Sequence, residues 1–208
     1  MPLDQVEIEV KFYLDDRAVL RSRLIDQGAA SQGEVFETNY RYDDQAGHLL
    51  AAHCLLRLRQ DRRTRLTFKR PRPDGNEDYK VYDEFEVVVE DFGCMHQILS
   101  AIGFQHAQIY EKKREVFRLK DALICVDQLP YGDFVEIEGQ PEAIRGAAHR
   151  LQLPWEKRIL TNYLHIFEAL RKPLDLGFKD LTFENFGGVP DKAESIIRRF
   201  EANGLTQK

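Results

Sequence analysis

The sequence predicts an α+β fold that is mainly antiparallel β, with a closed eight-stranded β-barrel, or tunnel, and flanking α-helices. Short runs in which polar and apolar residues alternate recur along the chain, separated by turn sequences, as antiparallel strands do. In several runs the polar positions carry charges, whereas a solvated sheet face usually mixes charged with neutral residues. Three other segments have helical apolar spacing. These helices can cover the apolar strand faces from outside, which leaves the charged faces to line a closed interior.

The first predicted element is a strand over residues 4–13, with Val6, Ile8, Val10 and Phe12 on one face. A helix is predicted next, beginning at the acids of residues 15–16 and ending at Gly28 as a C-cap. Seven more strands are predicted over residues 35–42, 54–60, 64–71, 79–90, 111–119, 122–128 and 133–138. Turn sequences separate many of them, at residues 44–47, 61–63, 73–76 and 130–132.

Helical spacing returns at residues 95–102, at residues 144–151 and at residues 160–170. Beyond these, a glycine-containing loop leads to a predicted short amphipathic helix over residues 190–202. We therefore predict a barrel domain over residues 1–171 and a C-terminal extension over residues 172–208. The extension is a candidate lid, docking helix or dimer contact, and a homodimer is one candidate assembly.

Composition excludes several classes of function. The 208 residues include 35 acids and 30 bases, and a net charge of −5 does not indicate binding to nucleic acid or to an anionic membrane. No window approaches the roughly 18 apolar residues of a membrane helix, and the N-terminus lacks a signal pattern, so we expect a cytoplasmic protein. Cys54, Cys94 and Cys125 are too far apart to indicate a disulfide framework or a zinc knuckle.

Several predicted strands carry two like charges at positions i and i+2, which places both side chains on one face of the strand. Alternating polar residues on a single strand are typical of a half-solvated sheet, but like charges as neighbours are unfavourable unless a counter-ion or ligand lies between them. Carboxylate clusters bind Mg²⁺ or Mn²⁺, and Arg and Lys clusters bind phosphate, so a metal-bound polyphosphate fits both. The acid pairs are Glu7/Glu9, Glu84/Glu86 and Glu136/Glu138, and the basic set is Lys11, Arg57/Arg59, Lys69 and Lys112/Arg114.

These motifs together resemble the CYTH superfamily, also called triphosphate tunnel metalloenzymes, which includes class IV adenylyl cyclases and thiamine triphosphatases. The opening Glu-Ile-Glu-Val-Lys of residues 7–11 is similar to the signature of that family. The further similar segments follow in family order at residues 57–59, 67–71, 84–86, 112–114 and 127–138. Asn162-Tyr163 resembles the Ser-Tyr region of the family, although Asn replaces the more usual Ser.

The resemblance implies an eight-stranded antiparallel tunnel, a requirement for Mg²⁺ or Mn²⁺, and a triphosphate-containing small molecule as substrate. By position, the implied metal ligands are Glu7, Glu9, Asp127, Glu136 and Glu138. The implied triphosphate-binding residues are Lys11, Arg57, Arg59, Lys69, Lys112 and Arg114. Glu84, Glu86 and Lys11 are the candidate catalytic residues, and Thr67 is a further residue that could contact phosphate.

Three functions fit this pattern. The favoured hypothesis is a metal-dependent triphosphatase that hydrolyses inorganic triphosphate or a nucleoside or organic triphosphate, because no segment indicates a dedicated adenine pocket. The alternative is a class IV adenylyl cyclase, which converts ATP to cyclic AMP and pyrophosphate with the same charged lining. The third is a non-catalytic polyphosphate-binding module, which would not need its carboxylates. The fold alone does not decide among them.

Overall fold

A computed structural model describes residues 6–72, 77–189 and 192–202 of the chain. Its strands form a closed antiparallel barrel in the ring order β1-β5-β4-β3-β2-β6-β7-β8, because β1 pairs with both β5 and β8. The predicted fold class is therefore confirmed. The strands are β1 (Val6–Leu14), β2 (Ala30–Asp43), β3 (Leu55–Gln60), β4 (Thr64–Pro71), β5 (Lys80–Val89), β6 (Gln105–Leu119), β7 (Ala122–Leu129) and β8 (Gly132–Glu138).

Six α-helices accompany the strands in the described part of the chain. The helix α2 follows the turn at residues 44–47 and was not predicted, and α6 with its 3-10 turn at Arg198–Phe200 is shorter than the predicted helix. Residues 4–5, 73–76 and 190–191, which carry parts of three predictions, lie outside the described residues. The helices are α1 (Arg17–Asp26), α2 (His48–Ala51), α3 (Phe92–Ala101), α4 (Pro141–Arg150), α5 (Tyr163–Arg171) and α6 (Glu194–Ile197).

The main hydrophobic core lies outside the barrel wall, between the strands and the helices α1 and α4. Strand alternation turns Val10 of β1 and Ile137 of β8, which are register partners, outward into this core. Leu24 of α1 and Ile144 of α4 cover them, and all four side chains are fully buried. Since the apolar faces are covered from outside, the opposite faces of the same strands line the interior of the barrel.

A second core joins the C-terminal segment to β6, β7, β8 and α5. Leu181 forms a parallel bridge with Tyr110 of β6, and its backbone N–H donates to the carbonyl of Ile109 at 2.9 Å. Phe167 of α5 and Ile197 of α6 are fully buried in the same cluster. Residues beyond 171 therefore contribute core side chains to the barrel wall.

Strands β2 and β6 are longer than the sequence predicted, beginning at Ala30 and Gln105. They pair with each other over most of their length, with irregularities between Ser31 and Glu34 and between Arg41 and Tyr42. The first part of β6, residues 105–110, lacks a regular apolar alternation. Its extended form follows from its pairing with the end of β2, which local periodicity does not show.

Within the described ranges, no helix combines the length and apolar character that crossing a lipid bilayer requires.

Candidate functional site

The inward strand faces line a cavity of about 1430 Å³ inside the barrel. Its lining includes twelve Lys and Arg residues and nine Asp and Glu residues, an excess of three positive charges. The whole chain instead has a net charge of −5. The cavity is thus a positively charged space inside an acidic protein, which favours an anionic ligand.

Three carboxylates form an acidic trio at one wall of the cavity: Glu7 and Glu9 of β1 and Glu138 of β8. One oxygen of each lies within 4.8 Å of the others, and Glu9 and Glu138 are register partners. Oxygen donors grouped in this way suit a hard divalent cation such as Mg²⁺ or Mn²⁺. The residues present therefore fit the metal that the sequence pattern implied.

The pKa values of the three carboxylates in the trio are shifted in different directions. Burial, with the neighbouring charge of Glu9, raises the pKa of Glu7 to about 8. Burial also raises the pKa of Glu138. Burial acts in the same direction on Glu9, but Lys11 and Lys80, whose ammonium groups lie 2.6 and 2.9 Å from its Oε1, outweigh it and hold its pKa below the usual range. Lys69, which pairs with Glu7, acts in the opposite direction on the pKa of Glu7.

Asp127 of β7 lies at the centre of a separate cationic cluster. It is fully buried and accepts hydrogen bonds from Lys112 at 3.0 Å and from Arg114 at 2.7 and 2.6 Å. The hydroxyl of Tyr163, at the start of α5, also donates to it at 3.0 Å. The ammonium groups of Lys11 and Lys112 lie 5.2 and 5.4 Å from the centroid of the Tyr163 ring. Asp127 thus neutralises and positions two buried cations.

Glu136 of β8 connects the cationic cluster to the acidic trio. It accepts a hydrogen bond from Arg114 and forms an ion pair with Lys11 at 3.1 Å. Burial would raise its pKa, but these cations hold the pKa well below the usual value. Since Lys11 also pairs with Glu9, it lies between the two groups and bonds to both.

The wall formed by β3, β4 and β5 carries most of the remaining predicted residues. Lys69 pairs with Glu7 and, at 3.2 Å, with Glu84. Glu86 accepts hydrogen bonds from Arg59 at 3.0 Å and from the hydroxyl of Thr67 at 2.8 Å.

Arg57 of β3 is held by hydroxyl groups. It donates to the hydroxyl oxygens of Tyr110 at 3.2 Å and of Thr67 at 3.3 Å. Its nearest ion-pair contact is Glu86, at 3.9 Å. Arg57 is therefore more weakly neutralised than the ammonium and guanidinium groups around Asp127.

All the predicted site residues lie in the barrel interior. They fall into three groups there: the acidic trio, the cationic cluster around Asp127, and the wall formed by β3, β4 and β5. Glu7, Glu9 and Glu138 form the acidic trio, whereas Asp127 and Glu136, which the family pattern implied as further metal ligands, lie outside it among Lys11, Lys112 and Arg114. The predicted phosphate-binding residues all lie on inward faces, as do Glu84, Glu86 and Thr67. The predicted set that lines the cavity is Glu7, Glu9, Lys11, Arg57, Arg59, Lys69, Glu84, Glu86, Lys112, Arg114, Glu136 and Glu138.

Several interior residues were not predicted from the sequence. Lys80 and Tyr82 share the inward face of β5 with Glu84, so period two in that strand could have identified them. Glu37 and Arg41 lie on the inward face of β2. Burial would raise the pKa of Glu37, but Lys112, Arg114 and the arginines of β3 lower it to about 2. A strand that carries both signs of charge does not repeat the like-charge pairs, so that signal could not reveal β2.

The fold and the interior define a closed-barrel protein that places its charged groups around an internal cavity rather than on an outer surface. The chain belongs to the CYTH domain family, whose model matches residues 5–153. No curated protein matches the sequence significantly.

Solved structures with a similar fold come from several organisms. A Vibrio parahaemolyticus protein proposed to be an adenylate cyclase has a TM-score of 0.72 at 19% identity, covering 80% of this chain and 100% of its own. A Pyrococcus horikoshii protein has a TM-score of 0.68 at 25% identity, covering 79% and 99%. A Hippeastrum protein proposed to be an adenylyl cyclase, and described as having a dominant triphosphatase activity, has a TM-score of 0.58 at 18% identity, covering 78% and 95%.

Proposed function

We propose that this chain is a metal-dependent triphosphatase that hydrolyses inorganic triphosphate, or a nucleoside or other organic triphosphate, inside the barrel. One observation carries the proposal: an acidic trio that suits Mg²⁺ or Mn²⁺ and a set of buried cations that suits phosphate share one cavity inside the barrel. A site for metal alone would not need the cations. A site for phosphate alone would not need carboxylates whose mutual repulsion must be relieved.

In this proposal Glu7, Glu9 and Glu138 hold the cation. When bound, the ion supplies charge stabilisation at phosphoryl oxygens and lowers the pKa of a water molecule. Lys11, Lys69 and the arginines of β3 bind the phosphate oxygens. Because Lys11 and Arg57 are buried, water screens their charges less than it screens surface charges, and both are already in place before the substrate arrives.

Glu84 and Glu86 are the two candidate bases, and Glu86 has one oxygen without a hydrogen bond. Its Oε2 accepts hydrogen bonds from Arg59 and Thr67, whereas its Oε1 lies 3.8 Å from Arg65, beyond hydrogen-bond distance. That oxygen is available to accept a proton from water. Glu84 forms an ion pair with Lys69 through its Oε2 and so also positions that lysine. Either carboxylate can accept the proton through its remaining oxygen.

A product assay tests the proposal against its alternatives. Purified protein is incubated with inorganic triphosphate, with ATP and with thiamine triphosphate, each with Mg²⁺ or Mn²⁺, and the products are separated by chromatography. We expect metal-dependent release of phosphate without cyclic AMP. Cyclic AMP and pyrophosphate from ATP would replace the hydrolase by the class IV adenylyl cyclase, and metal-independent binding without turnover would favour the polyphosphate-binding module.

Two matched variants test whether hydrolysis takes place in the cavity. The variant Glu7→Gln/Glu9→Gln removes two carboxylates from the acidic trio. The control Glu90→Gln/Glu142→Gln makes the same change in charge at two exposed positions outside the cavity. We expect the first variant to lose at least about 100-fold in turnover and the control to stay within about twofold. Equal activities in the two variants would refute the assigned site.

A further inference from the structure

Arg41 of β2 faces the cavity but has no role in the proposed function. Among the described residues, no carboxylate lies within 4.0 Å of its guanidinium, so its charge has no counter-ion, and its buried Nε has no hydrogen-bond partner. By contrast, the ammonium groups of Lys11 and Lys112 are both paired with carboxylates. A buried donor without a partner is costly, and an anion bound in the cavity would supply both the missing acceptor and the missing counter-charge.

Arg41 lies directly opposite Arg57 in the pairing of β2 with β3. Like charges in register destabilise a sheet unless an anion lies between them. Arg57 is 7% exposed, and its Nε also lacks a hydrogen-bond partner. Two guanidiniums with unused donors on neighbouring strands match an anion that presents several oxygens, such as a phosphoryl group.

The position of this pair in the ring places it across the cavity from the acidic trio. Strand β2 is four strands from β1 in either direction, so Arg41 faces the cavity from the wall opposite Glu7 and Glu9. An anionic ligand that contacts both walls must place one group near the lysines that pair with the acidic trio and another near Arg41. A chain of phosphates meets this requirement, whereas a single phosphate does not.

We propose that Arg41 and Arg57 form an anion subsite that binds the phosphoryl group at the end of the substrate farthest from the acidic trio. This inference rests on the proposed function in taking a triphosphate chain as the ligand. It makes Arg41 a specificity-determining residue, which favours a triphosphate over shorter phosphates because only the longer chain reaches it.

Binding measurements test the subsite without requiring turnover. Isothermal titration calorimetry measures the affinity of inorganic triphosphate and of diphosphate, without metal and with Mg²⁺, for the wild type and for Arg41→Gln. We expect the variant to bind triphosphate about tenfold to a hundredfold more weakly. Diphosphate affinity should change by no more than about twofold. Arg41→Lys, which keeps the charge but not the planar fork, should recover part of the loss.

Arg70→Gln is the matched control, because it removes the same charge from an exposed position of β4 where Arg70 pairs with Asp83. It should leave both affinities unchanged, and thermal denaturation verifies that each variant folds. Equal weakening of triphosphate and diphosphate binding, or no weakening of either, would overturn the subsite. Selective loss of triphosphate binding in a protein that hydrolyses no triphosphate would support the subsite and refute the proposed function.

Discussion

Replacing Asp127 by Asn tests whether this residue neutralises cations or binds metal. The carboxylate is fully buried and receives bonds from Lys112, from two nitrogens of Arg114 and from Tyr163. Asn keeps the shape and one acceptor oxygen but removes the charge. Two buried cations would then share the nearby Glu136 and Glu37 as their remaining counter-charges.

The expected loss follows from these contacts. Removing one partner of a buried ion pair costs about 3–5 kcal/mol, because the charge that remains is uncompensated. Adding about 1.5–3 kcal/mol for each of the four bonds would give a larger figure. Since Asn retains an acceptor, we expect the smaller loss, which lowers Tm by about 6–20 °C in a chain of this size.

Urea unfolding, followed by the fluorescence of the single tryptophan, measures this loss. Trp155 contacts Phe12 of the main core, with ring centroids 6.4 Å apart, so its emission reports on the barrel wall. The exposed Asp26→Asn is the control. Inorganic triphosphate should stabilise Asp127→Asn more than the wild type, because phosphate oxygens can replace the missing charge. A free energy of unfolding within about 1 kcal/mol of the wild type would refute the reasoning.

Three further predictions concern Glu7, Tyr163 and Leu181. Since the pKa of Glu7 is about 8 against an ordinary 4.5, the metal-free folded protein binds more protons than the unfolded chain between these values. The contribution of Glu7 to stability therefore falls as pH rises through that window. Because Mg²⁺ displaces the proton, it should bind more tightly at pH 8.5 than at pH 6.5. Equal affinities by calorimetry would contradict this prediction. Tyr163→Phe removes the hydroxyl that donates to Asp127, and should lower the free energy of unfolding by about 1–3 kcal/mol in urea titrations; no change would show that the bond is not formed. Leu181→Ala creates a cavity in the second core and should cost about 2–5 kcal/mol, whereas a loss below about 1 kcal/mol would show that the C-terminal segment is not part of the folded unit.

Local sequence predicted most of the strands because alternation is a property of neighbouring residues. In β1 the same alternation correctly placed Glu7 and Lys11 on the face opposite Val10. Closure of the barrel was inferred from the need to cover apolar faces, and the pairing of β1 with β8 confirms it. The unpredicted first part of β6 depends on a partner far along the chain.

The partners of the charged residues could not be predicted in the same way. Alternation fixes the face on which Asp127 lies, but not which charges from other strands meet it. Its position among Lys112 and Arg114 depends on the register of β6 against β7. Arg41 was not predicted as a site residue. Its proposed role depends on its register partner Arg57 on the neighbouring strand, and neither strand alone shows which residues will be paired.

Closure of the barrel also has a consequence for how the chain folds. Lys11 of β1 pairs with Glu136 of β8, 125 residues later in the sequence. At about 5–20 residues per second, a ribosome needs roughly 6–25 s to synthesise that interval. During this time β1 lacks β8, and until β5 is synthesised it lacks both of its neighbours, so its edge and its charged face are exposed. Contacts of such long range slow folding, and until the ring closes the unpaired edge of β1 can pair with the strand of another chain.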